Sequence, residues 1–320
     1  MPVLSIPHLV IPFARCEGDA WLAAMKGQTA GSLKNLGKLL HGMKLVSLDA
    51  GEADSLSTPH ERVLAQAKGL DAAVDGLIPW AAVEANTGTA KAWAYITPCH
   101  WAMGREHATM TDPAALALTP EESQTLLAAM QPYFATEGVT LHYAAPERFL
   151  AEGEVFRTLP TASLDRVLGR NVDAWLPGTD TAASLRRLQN EMQMLMYTHP
   201  LNDERSAKRL LPVNSFWISG TGALNRPALQ TLQAHKINVP RTLPQAAFKD
   251  DWAAYVNAWG EIDAIGIAQL LVQQNAGHSV RLTLCGERNA QTFETTAQSV
   301  FSKLSHRFKK KTPLDILSQL

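Results

Sequence analysis

Apolar residues recur along this chain at two spacings, one of two residues and one of three to four, and the alternation between them outlines the fold. His8–Phe13 (HLVIPF) is a short apolar run that reads as a buried strand. SLKNLGKLLHGMKLV follows with Leu33, Leu36, Leu39 and Leu40 at helical spacing, its glycines limiting the helix, and Asp49–Pro59 reads as a loop. PHERVLAQAKGL is a helix with Val63, Leu64 and Ala67 on one side, and TAKAWAYITPCHWAMG carries a strand expected to end before Pro98. TPEESQTLLAAMQPYFATEG is the clearest helix: Thr119 caps it, Pro120 opens it, Glu122 completes a capping box and Gly138 stops it. The strand VTLHYA, the short helix PTASLDRVLG and the longer helix TAASLRRLQNEMQMLMYT come next, the last with Leu185, Leu188, Met192, Leu195 and Met196 as its stripe. VNSFWIS is a strand closed by Gly220 and Gly222. A helix over Pro227–Ala234, another over Asp250–Gln274 broken near Gly260 or Gly266, the last strand SVRLTLCG and a terminal helix AQSVFSKLSHRFKKK complete the chain.

Strands separated by helices predict βαβ units, hence an α/β fold with a mixed or mostly parallel sheet flanked by helices. No repeat, low-complexity tract or linker interrupts the pattern. Residues 1–320 are therefore expected to form a single domain, with a subdomain inserted around 100–200 as the one departure considered.

Composition narrows the class. The chain has 320 residues, 46% hydrophobic and 18% charged, which is a globular composition. Its 29 basic and 30 acidic residues balance, which argues against an extended nucleic-acid footprint. Cys16, Cys99 and Cys285 are widely spaced and odd in number, as expected of reduced cytoplasmic thiols rather than a disulfide framework or zinc site. No uninterrupted apolar stretch has the length of a membrane span, so no membrane association is expected.

No phosphate loop, dinucleotide fingerprint, HExxH or nucleophile elbow is present. The densest polar segment is THPLNDERSAKRLLPVNSFWISGTG, Thr198–Gly222. Arg205 offers a planar fork for a carboxylate or phosphate, with His199, Asn202 and Asn214 as further hydrogen-bonding groups. Gly220 and Gly222 either let an anion approach backbone N–H groups or simply turn the chain. The competing reading makes Asn202 a helix cap and pairs Arg205 with an acidic neighbour. His100, Arg105, Glu106 and His107 form a second polar cluster, suited to acid–base work or to binding one metal, with a polar rim at a strand end as the competing reading; Trp101 and Met103 beside them read as packing residues. Met192, Met194 and Met196 read as packing and surface residues, and RFKKK (Arg307–Lys311) as a solvated helix end.

ITPCHWAMGREHATMTDP, LPTASLDRVLGR, RLQNEMQMLMYTHPLNDER and VNSFWISGTG together resemble a bacterial family of regulatory RpfE-like proteins. More narrowly, His199, Pro200, Asn202, Arg205, Pro212, Asn214, Trp217, Gly220 and Gly222 form a pattern similar to a segment of the archaeal-type cofactor-independent phosphoglycerate mutases. That resemblance implies a reduced core of the alkaline-phosphatase type, and in an active member two divalent metals and a serine nucleophile. The first strand, HLVIPFARCEG, lacks the Asp the mutases place there, and His278 has no Asp at their spacing. The resemblance therefore implies a mutase-like regulatory protein that binds a small phosphorylated or carboxylated ligand, without cofactor or metal-dependent phosphoryl transfer. Two alternatives stay open: an active mutase-type enzyme, and a protein that meets a protein or nucleic-acid partner through its basic C-terminal run.

Overall fold

The computed structural model describes residues 6–28, 33–87, 90–178, 183–225, 237–295 and 312–320. In chain order its elements are β1 (His8–Ile11), α1 (Asp19–Gln28), α2 (Lys34–His41), β2 (Met43–Asp49), α3 (Pro59–Lys68), α4 (Trp80–Ala85) and β3 (Ala92–Cys99). A hairpin of β4 (Trp101–Met103) and β5 (Ala108–Met110) leads to α5 (Pro120–Thr136), β6 (Thr140–Ala145), β7 (Arg148–Glu152), α6 (Leu164–Val167), α7 (Ala183–Tyr197), α8 (Pro200–Ala207) and β8 (Ser215–Ala223). Then come β9 (Ile237–Asn238), α9 (Thr242–Ala247), α10 (Trp252–Ile262), α11 (Ala268–Asn275), β10 (Arg281–Cys285), β11 (Ala290–Thr295) and α12 (Pro313–Leu317). The helices expected over Pro227–Ala234 and over AQSVFSKLSHRFKKK lie outside the described residues.

These elements divide between two compact units. The first gathers the described residues of Met1–Asp54, Pro59–Ala67 and Gln233–Leu320. Its sheet runs β2-β11-β10-β1-β9 and is mixed: β1 is parallel to β10 and β9, while β11 is antiparallel to β10 and β2. The two-residue period of a strand sends Leu9 and Ile11 to one face and Val10 to the other. Leu9 and Ile11 join Trp21 of α1, Leu36 and Leu39 of α2 and Tyr255 and Trp259 of α10 in the main core, whereas Val10 packs with Cys285 and Val63 of α3. Burial pushes the Cys285 and Cys99 thiols far up, so both behave as small apolar groups.

The second unit gathers Ser55–Thr58 and the described residues of Lys68–Leu232. Its four-stranded sheet, β6-β7-β3-β8, is antiparallel throughout. The mostly parallel alternative does not hold here, because β6 and β7 are joined by a turn too short for a parallel crossover. α5 and α7 cover one face: Leu126, Met130 and Phe134 of α5 meet Leu185, Leu188, Met192 and Met196 of α7 over Ile96, Phe149 and Phe216.

Several local expectations are corrected. Gly42 ends α2, as the limiting glycines led one to expect, but MKLVSLD after it, for which no strand was expected, is the edge strand β2. β3 continues through Pro98 to Cys99; β7 pairs only with Trp93–Ile96, so the missing N–H of Pro98 deprives no neighbour. β7, β11, α4 and the β4–β5 hairpin were not anticipated. The long helix near the C-terminal end is interrupted near Gly266, as expected, but by a π turn over Asp263–Ile267 between α10 and α11 rather than by a break. That turn places the buried Asp263 carboxylate at the start of α2, where it accepts from Asn35 N (3.1 Å) and Leu36 N (2.8 Å). Asp263→Ala removes this cap, and chemical denaturation is expected to show a loss of about 1–2 kcal/mol.

Candidate functional site

The polar segment Thr198–Gly222 condenses into α8, a clamped loop and β8. His199, not Asn202, caps α8: its Nδ1 accepts from Leu201 N at 3.2 Å, with Pro200 in the first turn. As an acceptor, Nδ1 is unprotonated, which assigns the ring proton of the neutral form to Nε2. Asn202 is buried one turn further on. Its Nδ2 donates to the carbonyls of Met196 and Val213, both at 2.7 Å, and its Oδ1 accepts from Val213 N at 2.9 Å. Asn214 binds the backbone of Trp101 reciprocally, accepting from Trp101 N at 2.7 Å and donating to Trp101 O at 3.0 Å.

Arg205 has no exposed side-chain surface. Its Nη1 donates to Glu122 Oε2 at 2.6 Å, its Nε to Leu211 O at 2.9 Å, and its Nη2 to Leu116 O. Glu122 is the same residue that closes the capping box of α5, accepting from Thr119 N at 3.1 Å. Asn202, Arg205 and Asn214 therefore do not converge on an anion; their donors are aimed at carbonyls and one carboxylate inside the unit. The expectation of an acidic partner for Arg205 is the one the structure supports.

Gly220 and Gly222 lie inside β8, beside the register shift at Trp93 and Tyr95 of β3. Gly220 has φ +62°, and a Cβ there would stand 2.7 Å from the Tyr95 ring. Gly222 has φ +133° and lies against Pro79. Their smallness admits α4 and Tyr95 rather than a phosphate. The second cluster is also dispersed. His100 sits at the base of the β4–β5 hairpin and donates from Nδ1 to Pro212 O at 2.9 Å, while Arg105 and His107 are exposed in the turn at its tip.

What the clamped segment does build is an open depression of about 460 Å³. Asn202 and Asn214 contribute to its lining beside Trp101, Met103, Met194 and Tyr197. Met103 is 80% exposed, Met194 67% and Tyr197 83%. Asp203, also lining it, is exposed and has no ion pair among the described residues. Met103 and Met194 had read only as packing or surface residues. The usable signal was positional: Met192 and Met196 share the buried stripe of α7, which turns Met194 and Tyr197 to the other side.

The two metals implied by the mutase resemblance require clustered carboxylate and imidazole donors. Among the described residues no group of three or more His, Cys, Asp or Glu side chains is placed to hold an ion. The donors among the described residues do not fit a pair of divalent ions.

No family model matches the chain, and no curated protein matches it. Among solved structures, the chain is similar to the PH0037 protein of Pyrococcus horikoshii with a TM-score of 0.45 and 11% identity, over 92% of this chain and 88% of that one. It is also similar to a cofactor-independent phosphoglycerate mutase from Thermoplasma acidophilum with a TM-score of 0.36 and 13% identity, over 98% of this chain and 99% of that one.

Proposed function

We propose that this chain is a binding protein whose contact face is the depression beside α7 and α8, and that its partner is a polypeptide segment with apolar anchors and a cationic side chain. The observation that carries this is the exposure of Met103, Met194 and Tyr197 around a floor whose asparagines already spend their hydrogen bonds internally. These asparagines therefore offer little polar recognition to a small anion, and the Asp203 carboxylate beside Gln193 and Ser206 in the same lining opposes one. Flexible thioethers and a tyrosine ring instead suit apolar side chains of varied shape. Asp203 supplies the complementary charge for a lysine or arginine.

Panning random twelve-residue peptides against the purified full chain tests this. Enriched peptides are expected to carry paired apolar residues and at least one cation. Their affinity should fall about tenfold or more in Met194→Glu and in Tyr197→Ser. Val272→Glu, an equally exposed apolar position on the first unit, should leave binding unchanged. Acidic consensus peptides, no enrichment, or binding that survives Met194→Glu would each overturn the reading.

A further inference from the structure

Hydroperoxides attack two kinds of sulfur in proteins, thiolates and thioethers, and this fold gives the two very unequal access. Cys16, Cys99 and Cys285 are all buried. Burial pushes the Cys99 and Cys285 thiols far up, so neither presents the thiolate that reacts. A thioether carries no proton, and its reactivity follows exposure instead.

By that measure the methionines divide into two groups. Met25, Met110, Met130, Met192 and Met196 are buried, and Met43 is partly buried against the core of the first unit. Met103 and Met194 stand in solvent, and both line the depression beside α7 and α8. Met196 lines it too, yet is only 1% exposed, because the apolar stripe of α7 turns it into the core. Two residues earlier on the same helix, Met194 faces out. Among the described residues, accessible sulfur is therefore concentrated where the second unit exposes apolar contact surface. Oxidation there changes what that surface offers: a thioether is soft and apolar, whereas its sulfoxide is polar and chiral.

We propose that Met103 and Met194 form a reversible oxidation site, and that their conversion to sulfoxide by a hydroperoxide weakens the depression's hold on its polypeptide partner; the second half rests on the binding reading given above. In each event the thioether sulfur attacks one peroxide oxygen. An S–O bond forms, the O–O bond breaks, and the proton of the transferred oxygen passes to the departing one, so hydrogen peroxide leaves as water. Sulfur is oxidised by two electrons and the peroxide is reduced by two. A dithiol-dependent sulfoxide reductase reverses the change, returning the thioether and water while its dithiol becomes a disulfide. An apolar anchor that seats against a sulfoxide strips water from an oxygen it cannot pair, and that desolvation opposes binding.

The test treats the purified full chain with hydrogen peroxide, removes the oxidant by desalting and follows each methionine by tandem mass spectrometry. Met103 and Met194 are expected to oxidise at least about tenfold faster than Met130, Met192 and Met196. The dodecapeptide most enriched by panning on the untreated chain is then labelled with fluorescein, titrated in and followed by anisotropy. The oxidised chain is expected to bind it about tenfold or more weakly, and sulfoxide reductases with dithiothreitol should restore the affinity. In Met103→Leu combined with Met194→Leu, whatever its own affinity, the ratio between treated and untreated protein should fall to about one. Met192 or Met196 oxidising as fast as Met194 would overturn the site. Equal binding before and after oxidation, or a loss that persists in that double variant, would overturn the switch. An untreated chain that binds no peptide fails the binding reading itself and takes the switch with it, while the oxidation map still decides the site.

Discussion

Arg205→Ala is expected to destabilise the second unit by about 3–5 kcal/mol, read by urea or guanidinium unfolding. The side chain has no exposed surface and satisfies the Leu211 and Leu116 carbonyls together with Glu122. Truncation leaves a carboxylate that is only 14% exposed facing an empty space, and two carbonyls without their donor. It also detaches the loop before β8 from the start of α5. Lysine has no planar fork and cannot reach three separate acceptors, so Arg205→Lys should recover little. Combining Arg205→Met with Glu122→Gln should recover part of the loss, because the uncompensated charge is then gone. An anion-binding arginine makes the opposite prediction, since its loss abolishes binding and leaves stability nearly unchanged. A measured loss below about 1 kcal/mol would return Arg205 to the list of ligand residues.

The capping box that places Glu122 was legible because Thr119 and Glu122 are three residues apart. The partner of Glu122 was not, because Arg205 is 83 residues away and no local pattern links the two. The same limit explains why Thr198–Gly222 looked like a site. A sequence displays polar side chains but not their partners, and a buried amide clamping a loop has the same letter as one holding a ligand. β2 was lost for a related reason. Leu36, Leu39, Leu40 and Met43 continue a helical spacing, while Met43, Leu45 and Ser47 fit a strand equally well; only pairing with β11 decides between them. The helical stripe of α7, by contrast, depends on spacing alone and was readable, including the side on which Met194 and Tyr197 had to emerge.

Gly220→Val is expected to cost about 2–5 kcal/mol, from two sources that can be separated. The backbone at φ +62° penalises a residue with a Cβ by about 1–2 kcal/mol. The new side chain also starts 2.7 Å from the Tyr95 ring and 3.3 Å from Trp80 Cβ, and overpacking of this kind costs about 1–3 kcal/mol. Tyr95 cannot swing clear cheaply. Its hydroxyl donates to Trp80 O at 3.0 Å and lies 2.9 Å from Glu84 Oε2, which ties the ring to α4. Tyr95→Leu in the Gly220→Val background should therefore return about 1 kcal/mol of the packing cost while the backbone cost persists, a coupling measurable in a double-mutant cycle. Were Gly220 instead a phosphate-approach glycine, its replacement would be indifferent to Tyr95. Strict additivity of the two substitutions would show that the glycine is not held by the ring.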